Sequence, residues 1–185
     1  MARIGIGTKG WLAGVRRLRS PHHDQRPPGT AIDLIVVHGI SLPPGEFGGR
    51  WIADLFMGRL DRDAHPYFAS IASLRVSAHL LLRRDGSVLQ FVPFEARAWH
   101  AGVSRYRGRE RCNDYSIGIE LEGADHVPYT QRQYARLATL ARLIMRRYPQ
   151  VTPSRIVGHS QVAPGRKTDP GPPFDWRAFR ARLGA

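Results

Sequence analysis

The sequence predicts a single-domain α/β fold, in which a mixed β-sheet is flanked by helices. A chain of 185 residues is long enough for one sizeable core, and 42% hydrophobic residues is ordinary for a globular protein. Short apolar runs alternate with helical patterns along the chain, which is typical of a sheet covered on both faces. We therefore expect one domain over residues 1–185, with its core at about 11–183.

The first strands are indicated by β-branched runs and by the turn residues around them. Residues 31–37 form an apolar run that ends at His38, and this predicts a buried strand. Residues 80–82 and 88–92 flank the dipeptide Asp85-Gly86, which tolerates the positive φ angles of a tight turn. These two runs therefore predict a β-hairpin, and residues 93–114 after it are predicted to be irregular.

Two further strands and a final helix are expected in the second half of the chain. In residues 116–121, Ile and Leu alternate with Ser, Gly and Glu, which predicts a strand with one apolar face. Residues 155–158 predict a short strand that leads to His159. Asp175 is a suitable N-cap for a last helix.

Helices are indicated at three other places. Residues 51–57 and 63–74 predict two short helices, and residues 131–148 show the clearest helical periodicity. Thr130 and Gln133 have the spacing of a capping box, in which each side chain satisfies a free amide of the first turn. We expect this long helix to be core scaffolding with its arginines in solvent.

Composition narrows the classes of function. The net charge is +13, yet the basic residues are scattered, so we expect no specific nucleic-acid partner. No apolar run reaches 18 residues and the first residues do not resemble an export signal, so we expect no membrane association. Cys112 is the only cysteine, which fits a reducing compartment. The expectation is a cytoplasmic monomer.

Three residues are candidates for a zinc site with an open position. His38 and His159 follow predicted strands in distant parts of the chain, and Asp169 lies in a loop whose prolines limit its freedom. Two imidazoles and one carboxylate form a donor set suited to zinc, and catalytic zinc sites use three protein ligands. The fourth position is then left for water or substrate.

Two further residues are candidates for catalysis beside that ion. Glu120 shares its strand face with Ser116 and Gly118, small residues that leave space above the sheet, where a metal-bound water could lie. A carboxylate in that place can act as a general base. Lys167 precedes Asp169 by two residues, so its ammonium can stabilise the oxyanion that forms when water attacks a carbonyl.

Spacing alone leaves alternatives open. His79 and His100 compete as ligands, and Glu122 could replace Glu120 as the base because it shares the same strand face. Trp99 suits either a sugar-stacking role or the core. Cys112 is a poor nucleophile candidate because no base can be assigned to it. The remaining histidines lie in or near turns and are expected at the surface: His22, His23, His65 and His126.

Four segments together resemble a known family of cell-wall enzymes, the type 2 N-acetylmuramoyl-L-alanine amidases. The resemblance is strongest to its cytoplasmic branch, which acts on 1,6-anhydro-muropeptides in peptidoglycan recycling. It extends from about residue 11 to residue 176. The segments are VVHGISLPPGEFGG (36–49), LRVSAHLLLRRDGSVLQFVPFEARAWHAGVS (74–104), RERCNDYSIGIELEG (109–123) and GHSQVAPGRKTDPGP (158–172).

The resemblance implies one Zn²⁺ ion per chain, bound by His38, His159 and Asp169, and catalytic roles for Glu120 and Lys167. It implies further that four residues bind the anhydro-muropeptide substrate. Among these, the arginines suit the carboxylates of the peptide and the tryptophan suits the anhydro sugar. The four residues are Tyr67, Arg75, Trp99 and Arg111.

Two positions depart from the family pattern. Gly39 stands where the nearest relatives usually carry asparagine, so one substrate hydrogen bond is expected to be lost or moved. Gln161 replaces a frequent aspartate after the second histidine, which weakens any supporting role there. The rival functions are a recognition module that binds wall fragments without cutting them, and a broader amidase that acts on intact wall.

Overall fold

The structure, a computed structural model, describes residues 5–184, and its centre is a six-stranded mixed sheet in the order β1-β5-β4-β9-β3-β10. Only the β4–β5 pair is antiparallel among these neighbours, and β2–β6 and β7–β8 form two separate antiparallel pairs. The strands are β1 (Arg16–Arg17), β2 (His23–Gln25), β3 (Leu34–Ile40), β4 (Leu80–Leu82), β5 (Val88–Gln90), β6 (Ala96–Ala98), β7 (Arg105–Tyr106), β8 (Arg109–Glu110), β9 (Ser116–Glu122) and β10 (Ile156–Gly158).

Helices cover both faces of this sheet, as the sequence predicted. They are α1 (Trp51–Phe56), α2 (Gln131–Arg147), α3 (His159–Val162) and α4 (Trp176–Leu183). One face packs on α2 and α4 through a large apolar cluster that includes Ile35, Val37, Ile117, Ile119, Leu137, Ile144 and Phe179. The other face packs on α1 through a second cluster that includes Leu55, Phe56, Leu81, Leu89 and Phe91.

The predicted helix caps are present. The Thr130 hydroxyl accepts from the amide of Gln133 at 3.2 Å, and the Gln133 side chain accepts from the amide of Thr130 at 3.0 Å. The Asp175 carboxylate accepts from the amide of Ala178 at 2.8 Å, at the start of α4. These bonds satisfy amides that have no partner inside their helices.

Three local predictions were wrong in their bounds or type. The strand predicted at 31–37 begins at Leu34 and continues to Ile40, because pairing with β9 carries it through His38 and Gly39. The helix predicted at 63–74 is a short 3-10 turn at Pro66–Ser70. Of that turn only Phe68 is buried, so no apolar face holds a longer helix. The stretch 93–114, predicted to be irregular, contains β6, β7 and β8.

The proline-rich stretch before β3 is anchored by one arginine. The Arg26 guanidinium donates to the backbone carbonyl oxygens of four residues that are distant in sequence, at 2.8–3.1 Å. Those residues are Phe94, Asn113, Asp114 and Ser116. Because each backbone oxygen gains a charged donor, the proline-rich stretch is held against the start of β9.

No helix within residues 5–184 is long and apolar enough to cross a bilayer.

Candidate active site

Parallel pairing of β3 with β9 places His38 directly opposite Glu120. Alternate residues of a strand point to opposite faces, so both side chains leave the sheet on the side away from α2 and α4. There they line a cavity of about 690 Å³, here called the central cavity. His38 lies two positions before the end of β3, inside the paired region and not at its end as predicted, and Glu120 lies two positions before the end of β9.

His159 and Asp169 reach the central cavity from the C-terminal part of the chain. β10 pairs with β3, and His159 follows β10 as the first residue of α3. The loop after α3 returns to this helix, where the amide of Ser160 donates to the carbonyl oxygen of Asp169 at 3.0 Å. The carboxylate of Asp169 is thereby held next to both histidines.

The three side chains meet in a nearly equilateral triangle. His38 Nδ1 lies 3.0 Å from His159 Nδ1 and 3.2 Å from Asp169 Oδ2, and His159 Nδ1 lies 3.1 Å from Asp169 Oδ2. A tetrahedral zinc ion with bonds of about 2.0–2.1 Å has its ligand atoms about 3.3–3.4 Å apart. The triangle therefore matches one face of such a site. Within residues 5–184 no other histidine, cysteine or carboxylate joins this group.

The electrostatics keep these atoms available to a cation. Burial lowers the pKa of His38 to about 4, so its imidazole is neutral and has a lone pair to offer. Burial alone would raise the pKa of Asp169. The adjacent ring nitrogens of His159 and His38 outweigh that effect and lower the pKa of Asp169, so the carboxylate stays ionised. A neutral imidazole and an ionised carboxylate are the forms that bind metal.

Glu120 is a buried carboxyl group without a hydrogen-bond partner at Oε2. Burial raises its pKa well above the usual value, the charge of Asp169 raises it further, and that of Lys167 lowers it. An orphaned carboxyl oxygen beside a ligand triangle fits a group that exchanges a proton with a bound molecule. Lys167 is exposed and lines the same cavity.

Glu122 has a structural task and is not the alternative base. Its carboxylate accepts from the amide of Gly48 at 2.6 Å and from the amide of Arg84 at 3.2 Å. These bonds attach the loop after β3 to the β4–β5 hairpin. Both oxygens are therefore committed to backbone donors outside the lining of the central cavity.

The two histidines that competed as metal ligands in the sequence, His79 and His100, lie outside the ligand triangle. His79 is fully buried, and its Nδ1 accepts from the amide of Gly118 at 3.0 Å, so it belongs to the core. His100 adjoins the ligands without joining them, and its Nδ1 lies 2.9 Å from His38 Nε2. His22 was expected at the surface, but it is 8% exposed and stacks beside Trp99 with ring centroids 6.2 Å apart.

Three of the four expected substrate-binding residues lie in or beside the central cavity. Tyr67 lines it and is 42% exposed, and Trp99 lines it on the side of His100. The Arg75 guanidinium lies 5.4 Å from the centre of a Trp99 ring. This geometry lets an apolar ring face and a forked cation act on one ligand.

Arg111 lies apart from that group. It lines a second cavity of about 570 Å³ with Arg105 and Arg166, and its Nε is 3.2 Å from Asp114 Oδ2. Arg166 was not among the residues that the sequence predicted for the site. It donates to the carbonyl oxygen of Ala101 at 2.6 Å, which holds the chain segment between the two cavities.

The comparisons with known proteins agree with this geometry. Residues 28–172 match the family model for N-acetylmuramoyl-L-alanine amidase. The chain belongs to this family. It is 61% identical to the 1,6-anhydro-N-acetylmuramyl-L-alanine amidase AmpD of Salmonella typhimurium, over 94% of this chain and 92% of that protein. Like the relatives it matches, it is an amidase, a hydrolase of amide bonds.

Solved amidases show the same fold. A crystal structure of a selenomethionine derivative of AmpD aligns with a TM-score of 0.92 at 60% identity, over 95% of this chain and 97% of that one. The amidase AmiD from E. coli aligns with a TM-score of 0.60 at 29% identity, over 97% of this chain and 65% of that one. AmiD was solved with the substrate anhydro-N-acetylmuramic acid-L-Ala-D-gamma-Glu-L-Lys.

The two positions that are expected to depart from the amidase family pattern have structural explanations. A side chain at Gly39 would collide with the Tyr129 hydroxyl, which donates to the carbonyl oxygen of Pro170 at 2.8 Å. The absence of a side chain at Gly39 therefore leaves room for the Tyr129 hydroxyl, which contacts the loop that carries Asp169. The Gln161 side chain accepts from the amide of Gly158 at 2.9 Å, so it caps the start of α3.

Proposed function

We propose that this chain hydrolyses the amide bond between the lactyl group of 1,6-anhydro-N-acetylmuramic acid and L-alanine in peptidoglycan fragments. The observation that carries the proposal is the convergence of His38, His159 and Asp169 beside the unpartnered Glu120 in an open cavity. The named activity of relatives at 61% identity supports the choice of substrate. We further propose that the protein works as a cytoplasmic, single-domain monomer in cell-wall recycling.

One zinc ion is the proposed cofactor, with His38, His159 and Asp169 as its ligands. The fit rests on the short distances between donor atoms, on the neutral form of His38 and on the ionised form of Asp169. Two imidazoles with one carboxylate and a free fourth position are a donor set of zinc hydrolases. Zinc supplies Lewis-acid chemistry, which polarises a carbonyl group and lowers the pKa of a water molecule.

Glu120 is the proposed general base and, later, the general acid. It takes a proton from the water whose oxygen attacks the lactyl carbonyl carbon, and it returns that proton to the departing alanine nitrogen. The carbon–nitrogen bond breaks, and the products are a lactyl carboxylic acid and a peptide with a free amino group. The raised pKa of Glu120 suits this task, because it makes the carboxylate a stronger base than an ordinary glutamate.

The other proposed roles follow from charge and position. Lys167 stabilises the negative charge on the carbonyl oxygen as water adds. Trp99 and Tyr67 offer ring faces to the sugar inside the central cavity. Arg75 beside Trp99, and Arg111 in the second cavity, are the proposed partners of peptide carboxylates.

The deciding experiment is an amidase assay on purified anhydro-muropeptide, with the zinc content of the protein measured in parallel. We expect about one zinc ion per chain, release of the free stem peptide, and loss of activity with a chelator that is reversed by added zinc. Binding of the fragment without cleavage in the zinc-loaded protein would favour a recognition module. Equal cleavage of intact peptidoglycan would favour a broader amidase.

A further inference from the structure

The two histidines of the ligand triangle have different partners at Nε2. His159 Nε2 lies 3.2 Å from the carbonyl oxygen of Ala101, which can only accept a hydrogen bond. The proton of neutral His159 is therefore fixed on Nε2, and its Nδ1 is free. His38 Nε2 lies 2.9 Å from Nδ1 of His100, a side chain that can donate or accept. The tautomer of His38 therefore depends on His100.

The ring of His100 is held in place by β9. Its Nε2 lies 3.1 Å from the Ser116 hydroxyl oxygen, and its ring meets that of His38 edge-on, with centroids 5.0 Å apart. At Gly118 any Cβ atom would collide with the His100 ring, so glycine leaves the space that the ring fills. The strand that carries Glu120 therefore also forms the surface on which the His100 ring packs.

We propose that His100 is a positioning residue for the metal centre, and that it sets the tautomer of His38 through a hydrogen-bond chain that ends at Ser116. This inference rests on the metal site of the proposed function. In the productive direction, His38 Nε2–H donates to His100 Nδ1, and His100 Nε2–H donates to the Ser116 hydroxyl oxygen. The lone pair of His38 Nδ1 then faces His159 Nδ1 and Asp169 Oδ2.

If the hydrogen bonds run in the opposite direction, the metal site is blocked. If Ser116 donated to His100 Nε2, the His100 proton would sit on Nδ1 and point at His38 Nε2. The single proton of neutral His38 would then have to occupy Nδ1, where the ion is expected. A residue that accepts at Nε2 of His38 therefore favours metal binding, and partners of this kind typically contribute 10–100-fold to metal affinity.

Three variants test the hydrogen bonds from His38 through His100 to Ser116. They are His100→Ala, His100→Asn and Ser116→Ala. Alanine removes the acceptor, whereas asparagine places a carbonyl oxygen near the position of Nδ1. Zinc affinity is measured by competition with a chromophoric chelator, and ligand geometry by the visible spectrum of the Co²⁺-substituted protein. We expect Kd for zinc to rise about 10–100-fold in His100→Ala, to recover largely in His100→Asn, and to rise less in Ser116→Ala.

Each outcome decides a separate point. Wild-type protein that binds no zinc overturns the metal site and this inference together. Wild-type protein that binds zinc no more tightly than folded His100→Ala overturns the positioning role alone. Asparagine as poor as alanine, in a protein with unchanged circular dichroism and Tm, also overturns it. If His100→Ala does not fold, the other two variants decide. His23→Ala removes an imidazole outside the central cavity and is expected to keep wild-type affinity.

Discussion

Glu120 and His38 are direct neighbours in the register between β9 and β3, so the proposed base and a proposed metal ligand sit on one rigid face of the sheet. Their separation is set by strand pairing and does not depend on a mobile loop. A substitution that keeps the shape of Glu120 should therefore leave the ligands undisturbed.

We expect Glu120→Gln to retain zinc and to lose activity by about 10²–10⁴-fold, the usual contribution of a general base. Metal content and kcat on anhydro-muropeptide are the measurements. Glu122→Gln is the matched control on the same strand, because its amide oxygen can still accept from Gly48 and only the longer bond from the Arg84 amide is lost, so it should keep most of its activity. Near-normal turnover in Glu120→Gln would remove Glu120 from the mechanism.

The acid limb of the pH profile should respond to Lys167. Activity requires ionised Glu120, so kcat/KM falls as pH drops through the pKa of Glu120, which burial holds well above the usual carboxyl value. The Lys167 ammonium lowers that pKa. We therefore expect Lys167→Met to move the acid limb to higher pH, and Lys167→Arg to leave it nearer the wild-type position. An unchanged or lower limb in Lys167→Met would contradict this coupling.

Residue type and pattern were sufficient to find the elements that position the site. Alternation in β9 predicted that Glu120 faces away from the core, and the capping box predicted the start of α2. His38, His159 and Asp169 were chosen as a donor set, and the structure brings them together. The strand and helix predictions succeeded because they rest on local periodicity, whereas the choice of His38, His159 and Asp169 over His79 and His100 needed the family resemblance.

The rest depends on contacts between distant parts of the chain. Nothing near His100 in the sequence shows that its ring lies over Gly118, since that contact comes from the packing of one segment on β9. Likewise, only the fold shows that Arg111 and Trp99 line different cavities. The bonds that commit Glu122 to Gly48 and Arg84 are also long-range, so sequence alone could not separate it from Glu120.

Gly39→Asn, which restores the residue expected in the family, should be harmful in this chain. The new side chain would collide with the Tyr129 hydroxyl and disturb its bond to Pro170, next to Asp169. We expect a loss of about 1–3 kcal/mol of stability, as in other overpacked sites, and weaker zinc binding. Urea unfolding and zinc competition are the measurements.

A double-mutant cycle with Tyr129→Phe separates collision from other effects of Gly39→Asn. Removal of the hydroxyl relieves the closest contact at Gly39, so the asparagine should cost less in the Tyr129→Phe background than in the wild type. Additive losses in the two variants would show that Gly39 and Tyr129 do not interact.

The buried core histidine His79 should make the metal-free protein sensitive to mild acid. Burial, assisted by the charge of Arg26, holds the pKa of His79 well below the usual value of 6.5. Below pH 6.5 the unfolded chain therefore binds a proton that the native chain does not, and stability falls as pH falls. The slope from one such histidine reaches about 1.4 kcal/mol per pH unit, and above pH 6.5 the contribution vanishes.

His79→Gln tests this assignment, because glutamine can accept from the amide of Gly118 and donate to the carbonyl oxygen of Ala96, as His79 does. We expect urea unfolding between about pH 5 and pH 6.5 to show a shallower loss of stability in the variant, by up to about 1.4 kcal/mol per pH unit. Near pH 8 the two proteins should differ by a constant amount, since neither state takes up a proton there. Equal slopes in acid would mean that His79 is protonated in the native protein, and that its hydrogen bond to the amide of Gly118 is broken.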